Sequence, residues 1–252
     1  ERFLERQQAN GMTPDGIERD GRTWRVGLES DVEYILVLGV WQTWQVTGDD
    51  AWLAAALPKL EKALDYIVSD ERHWERSARL VKRQHSCDTW DFDIDGASDQ
   101  GLSRHVIATC DQSGYVLAYE AMAAMCEALG DTQSAARWQR DAGEYRRRAN
   151  DMLWDGTKYL HHVHVDDIDH GDFDERQQLA MGNTWAVTRG LASDAQARSI
   201  VDEYRRRHAE TGDAHPWWSL QPGYPDRLHY FARRPYCRQG GYANGGLMPW
   251  VG

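Results

Sequence analysis

Apolar and polar positions along this chain fall into blocks about one helix long. Residues Asp31–Val46, DVEYILVLGVWQTWQV, are apolar on nearly every side, which predicts a helix buried around most of its circumference. In the TGDD that follows, Gly48 stops that helix and an aspartate caps the next. Asp50–Val68 then carries Trp52, Leu53, Leu57, Leu60, Leu64 and Ile67 on one stripe, the period of an amphipathic helix. The same phrase returns: QSGYVLAYEAMAAMCEAL is apolar, GD breaks it, and TQSAARWQRDAGEYRRRANDML is charged and amphipathic. A weaker third copy runs through RQQLAMGNTWAVTRGL, ASDAQ and ARSIVDEYRRRHAE. Each copy reads as a buried helix, a tight turn and a surface helix. Repeated antiparallel pairs of this kind predict an all-α fold with two concentric layers of helices.

The connections are asymmetric. From buried to surface helix they take two to four residues, whereas the returns are long, about 70–110, 153–177 and 208–245. All the long returns then lie at one end, beside the N-termini of the inner helices. Long loops on a rigid scaffold are where sites are built. These hold Trp74, Trp90, Trp154, Trp217 and Trp218, together with DTWDFDIDGASDQG, which packs five aspartates into residues 88–101. The closing NGGLMPWVG reads as the start of a fourth inner helix. Three pairs do not close a ring of six, so the expectation is one toroidal domain over residues 1–252 that continues past both ends of this sequence.

Composition narrows the function. With 41% hydrophobic and 27% charged residues the chain is that of a globular protein, and no apolar run approaches the roughly 20 residues of a membrane helix. Net charge is −11 and the basic residues are spread along helices, which excludes nucleic acid and anionic membrane as partners. Cys87, Cys110, Cys126 and Cys237 lie far apart without a C-x-x-C, the pattern of reduced structural thiols and not of a zinc knuckle. No signal pattern opens the sequence, so a cytoplasmic location is expected unless a leader precedes it. Nothing in the sequence sets the oligomeric state. The 12 Trp and 11 Tyr against 4 Phe are the unusual numbers. Aromatics with a polar tip suit the stacking of flat sugar rings, and large helical proteins also bury them as core.

Layout and phrases together resemble the six-hairpin glycosidases, whose fold is an (α/α)6 barrel, with the trehalase, processing-glucosidase-like and neutral-invertase branches nearest. LESDVEYILVLGVWQTWQVTGDD resembles their first-hairpin phrase, DTWDFD the trehalase phrase whose Trp-Asp-Phe carries the general acid, and YANGGLMPWV the Asn-Gly-Gly loop that opens a late inner helix. The resemblance implies an inverting glycoside hydrolase acting on an oligosaccharide or small α-glycoside. It implies no obligatory cofactor and no resident metal, and it makes Asp91 the proton donor. Physical chemistry agrees: Trp90 and Phe92 desolvate Asp91, while Asp88 and Asp93 disfavour its ionisation, and both effects raise a carboxyl pKa toward the range a general acid needs. In these families the general base follows the Asn-Gly-Gly loop by tens of residues, which puts it past residue 252; Glu29 and the pair Asp166/Asp167 are the fallback carboxylates. Trp90, Trp24, Trp217, Trp218 and Tyr242 are the expected sugar contacts. Arg22 and Arg25 flank Trp24 and offer donors, Asn244 offers a hydroxyl partner, and Asp93 adds a hydrogen-bonding group. Trp41, Trp44, Trp52 and Trp138 are expected in the core, and Trp185 in either place.

Three rival readings stand beside this one. DFDIDGASD fits the opening of a calcium loop, with Asp91, Asp93 and Asp95 at positions one, three and five and Gly96 at the turn, but Leu102 replaces the bidentate glutamate. HHVHV would put His162 and His164 on one face of a strand, a metal pair with Asp166 or the acid and base of an acylglucosamine-epimerase-type enzyme on the same barrel. A helical toroid that binds glycan without catalysis shares the aromatic rim and needs no acid.

Overall fold

The computed structural model describes residues 1–25, 29–84, 105–167, 172–227, 238–242 and 244–249. They carry seven α-helices: α1 (Arg2–Arg6), α2 (Val32–Thr47), α3 (Asp50–Ser69), α4 (Thr109–Ala128), α5 (Thr132–Leu153), α6 (Gly182–Thr188) and α7 (Asp194–Thr211). The pairs α2/α3, α4/α5 and α6/α7 are three helix hairpins. Each turn is closed by local chemistry. Gly48 adopts φ 65° and its N–H bonds the Trp44 carbonyl, while Asp49 caps α3 by accepting from Trp52 N at 2.9 Å. Gly130 sits at φ 81° and Asp131 accepts from Ser134 N at 3.0 Å. Ser193 and Gln196 form a reciprocal capping box at the start of α7.

Two expectations change. The third inner helix is only Gly182–Thr188; Leu179–Ala180, expected inside it, is extended and pairs with Leu220–Gln221. An antiparallel ladder there satisfies backbone groups that a longer helix would have satisfied internally. Helix α2 is not buried all round, since Ile35 is 52% and Val46 88% exposed while Tyr34, Val37 and Val40 are buried.

Among the described residues nine short strands occupy the connections: β1 (Gly16–Ile17), β2 (Thr23–Trp24), β3 (Trp74–Glu75), β4 (Leu80–Val81), β5 (Arg83–Gln84), β6 (His105–Ala108), β7 (His162–His164), β8 (Leu179–Ala180) and β9 (Leu220–Gln221). Pairing is antiparallel throughout: β1–β2, β3–β4, β5–β6–β7 and β8–β9. β6 belongs to the first long return, β7 and β8 to the second and β9 to the third, so strand pairing stitches the three returns together.

By contacts the chain divides into two compact units, residues 1–82 with 114–148, and residues 83–113 with 149–252. The core of the first is aromatic. Tyr34 meets Tyr115 edge-on at 5.3 Å, Tyr119 meets Tyr145 edge-on at 5.4 Å, and Trp138 stacks on Tyr119 at 5.6 Å. The buried hydroxyls are used: Tyr115 donates to the Ser30 carbonyl at 2.6 Å and Tyr145 accepts from Val81 N at 3.1 Å. Part of the Trp and Tyr excess is therefore core. Gly114 exists for this cluster, because a Cβ there would lie 2.4 Å from the Tyr34 ring. Gly114→Ala gains about 1 kcal/mol of helix propensity, but the clash with the buried Tyr34 ring costs about 1–3 kcal/mol. The expected outcome is a lower midpoint in thermal or urea denaturation; a raised midpoint would show that Tyr34 can give way.

In the second unit, Asn183 bridges two chain segments, accepting from Tyr159 N at 2.8 Å and donating to Tyr159 O at 3.0 Å. Arg207 of α7 pairs with Glu203 at 2.7 Å and donates to the carbonyls of Gln177 and Gln221, tying α7 to the flanks of β8 and β9.

Candidate active site

Asp91, Trp90 and Asp93, with the rest of the aspartate-rich stretch and its calcium-like phrase, lie outside the described residues. Their anchors are described. β5 and β6 pair with Gln84 opposite His105, so residues 85–104 leave and rejoin the chain at two paired residues. β6 pairs in turn with β7, with Val106 opposite His164 and Ala108 opposite His162. Directly paired residues share a sheet face, so His162 and His164 project on one side, as their alternation predicts. Arg83, opposite Val106, shares that side and is 1% exposed; its guanidinium lies 3.4 Å from the Asp111 carboxylate.

The histidines form a cluster. His162 Nε2 lies 3.0 Å from His164 Nε2, and Glu175 Oε2 lies 2.8 Å from His164 Nε2 and 3.5 Å from His162 Nε2. His162 Nδ1 faces His161 Nδ1 at 2.8 Å, and the Tyr224 hydroxyl donates to Glu175 Oε1 at 2.5 Å. Asp166 is not part of it. Its carboxylate accepts from His105 N at 2.5 Å and meets His105 Nδ1 at 3.1 Å. The partner expected from sequence proximity is thus replaced by Glu175, in the short 3-10 turn Glu175–Gln177. Glu175, Tyr224 and His105 were not singled out in the sequence. The available signal was a two-residue histidine alternation followed within a dozen residues by acidic loop positions.

The other expected contacts separate into three kinds. Trp24 and Arg22 lie on the β1–β2 hairpin at the surface. Trp24 is 49% exposed, and its ring lies against Gly16, where a Cβ would come within 2.3 Å. Arg22 pairs with Asp20 at 2.6 Å, and the Arg22 backbone N–H and guanidinium hold the Asp20 carboxyl below its usual range. Tyr242 is likewise 49% exposed, and Trp217 is half-buried against His215, the rings 4.2 Å apart.

Trp218 and Asn244 are held within the fold. Trp218 is 2% exposed, its ring runs parallel to that of Tyr204, and its indole N–H donates to Asp213 at 2.7 Å. Asn244 is fully buried, accepting from Tyr224 N at 2.5 Å and donating to Tyr224 O at 2.9 Å. It locks the Gly-Gly loop to the Tyr224 segment, and a Cβ at Gly223 would strike the Asn244 carbonyl at 2.3 Å. A cleft of about 310 Å³ opens here between β9 and the glycine-rich loop, with Trp218, Gln221, Gly223, Gly240, Gly245 and Leu247 in its walls.

Arg25 is corrected as well. Arg25 turns inward, donating to both carboxylate oxygens of Glu33 at 3.0 and 3.1 Å, to Thr13 O at 2.7 Å and to the Glu29 backbone carbonyl at 2.8 Å. It offers no donor fork to a sugar, and the Glu29 backbone belongs to its anchoring. Burial pushes the Glu33 carboxyl above its ordinary value, against the pull of Arg25. No helix among the described residues is long and apolar enough to cross a membrane.

Among the solved structures that share the fold are two rhamnosidases. A rhamnosidase from Klebsiella oxytoca with rhamnose bound matches at 18% identity and a TM-score of 0.54, over 84% of this chain and 37% of that one. A GH78 family rhamnosidase of Bacillus sp. GL1 matches at 16% identity and a TM-score of 0.51, over 86% of this chain and 25% of that one. The chain thus spans about a third and a quarter of their lengths. No curated protein matches it. Residues 1–216 match the bacterial alpha-L-rhamnosidase six-hairpin glycosidase domain, and the chain, with its three helix hairpins and long strand-stitched returns, belongs to that family.

Proposed function

We propose that this domain hydrolyses α-L-rhamnosides by inversion, with Asp91 as the general acid. The observation that carries the substrate class is the family match over residues 1–216; the rhamnose in the Klebsiella relative supports it. Rhamnose is a 6-deoxy sugar with a methyl group and an apolar ring face, a shape suited to exposed aromatics such as Trp24 and Tyr242. In the reaction water attacks the anomeric carbon, and the glycosidic C–O bond breaks as Asp91 gives its proton to the leaving oxygen. A second carboxylate about 6.5–9.5 Å away takes the proton of the water. The assignment of Asp91 rests on the resemblance of DTWDFD to the phrase that carries the general acid and on the aromatic and acidic neighbours that raise its carboxyl pKa.

The test is a panel of nitrophenyl glycosides and disaccharides, with the first-formed sugar followed by proton NMR. An α-L-rhamnoside is expected to be cleaved fastest, and β-L-rhamnose is expected to appear before mutarotation. Preferential release of another sugar would overturn the substrate class, and α-L-rhamnose as first product would overturn inversion.

A further inference from the structure

We infer that His162, His164 and Glu175 form a binding site for a divalent cation of the zinc class. Three donor atoms from two chain segments converge, all within 4.8 Å of one another. Their separations, 3.0, 2.8 and 3.5 Å, are close to the edges of a coordination tetrahedron. Zinc bonds of 2.0–2.1 Å to nitrogen and oxygen give an edge of about 3.3 Å. An opening of a few tenths of an ångström would seat the ion against the three atoms.

Proton bookkeeping points the same way. His164 Nε2 faces both His162 Nε2 and Glu175 Oε2 at hydrogen-bonding distance. It carries either a proton, which suits the carboxylate, or a lone pair, which suits a proton on His162. One cation at the centre serves all three lone pairs together. The surroundings are those of an oriented metal ligand set. With His162 Nε2 turned to the ion, its proton resides on Nδ1 and is donated to His161 Nδ1 at 2.8 Å. The second oxygen of Glu175 is held by the Tyr224 hydroxyl at 2.5 Å, and Tyr224 is itself fully buried. Two imidazoles and one carboxylate select a borderline divalent ion over calcium or magnesium, and leave a fourth position for water. The ion would cross-tie β7 to the Glu175–Gln177 turn.

The experiment uses the whole purified protein, stripped with chelator, dialysed against Zn2+ alone and assayed for metal per chain. About one equivalent is expected in the parent and in His208→Ala, which alters a histidine of α7 outside the cluster. That equivalent is expected to be lost in His164→Ala and Glu175→Gln. Tyr224→Phe removes only the orienting hydroxyl and is expected to weaken binding about 10–100-fold. Thermal melts of each protein without metal separate loss of the site from loss of the fold. A folded parent that binds no zinc, or an equivalent that survives in folded His164→Ala and Glu175→Gln, would overturn the site.

Discussion

Replacing Arg25 by methionine is expected to destabilise the fold by about 3–5 kcal/mol, the usual consequence of stranding one member of a buried ion pair. The Glu33 side chain is 0% exposed and Arg25 8%, and the guanidinium bonds both carboxylate oxygens. Methionine fills similar volume, so packing loss is small and the stranded carboxylate dominates. At about 2–4 °C per kcal/mol for a domain of this size, the melting temperature falls on the order of 10 °C. The deficit also depends on pH. Burial already raises the Glu33 carboxyl against the pull of Arg25, and without Arg25 it rises further. A carboxyl whose folded-state pKa exceeds its unfolded one binds its proton more tightly when folded. Its contribution is then fully favourable below the unfolded value and is lost as pH rises through the folded one. The Arg25→Met deficit is therefore expected to be larger at pH 8 than at pH 5. A double variant with Glu33→Met should recover part of the loss, short of the Arg25 bonds to the carbonyls of Thr13 and Glu29. A single variant as stable as the parent at pH 8 would show that the carboxylate finds another partner.

That pair also shows where sequence reasoning stops. Beside Trp24, Arg25 looked like a sugar-binding donor, and nothing in TWRVGLESDVE tells which way its side chain turns; the answer is a glutamate in the first turn of the next helix. The helix turns were legible, because Gly48, Asp49, Gly130, Asp131 and Ser193 act on backbone within a few residues of themselves. The shared face of His162 and His164 was legible for the same reason, as strand geometry alone dictates it. Glu175 was not, because its approach depends on a turn eleven residues away. The burial of Trp218 and Asn244 was not legible either, because a loop position in sequence does not reveal it, and their partners Tyr204, Asp213 and Tyr224 are brought up by tertiary structure. The short α6 was missed because Leu179–Ala180 is apolar enough for a helix, and only its pairing with Leu220–Gln221 makes it a strand.

The largest effect on activity is expected from Asp91→Asn, which keeps the shape of the side chain and replaces one carboxyl oxygen by an amide nitrogen. General acids contribute roughly 10²–10⁴ in rate, and the carboxamide has no proton to give. The size of the loss should depend on the leaving group. A disaccharide expels an alkoxide that must be protonated as the bond breaks, so kcat is expected to fall by the full factor. A nitrophenolate leaves nearly unaided, so the same variant is expected to retain far more of its rate on a nitrophenyl rhamnoside. The pH profile supplies a second signature. A general acid works only when protonated, which makes the rate fall on the alkaline side, and that limb is expected to vanish in Asp91→Asn. Glu29→Gln and Asp166→Asn, made in the same protein, are comparators. Glu29 contributes its backbone carbonyl to the Arg25 anchor, and the Asp166 carboxylate holds His105 at 2.5 and 3.1 Å. Neither is expected to show the leaving-group dependence. Equal losses on both substrates for Asp91→Asn would place that residue in binding, and a leaving-group-dependent loss in a comparator would move the proton donor there.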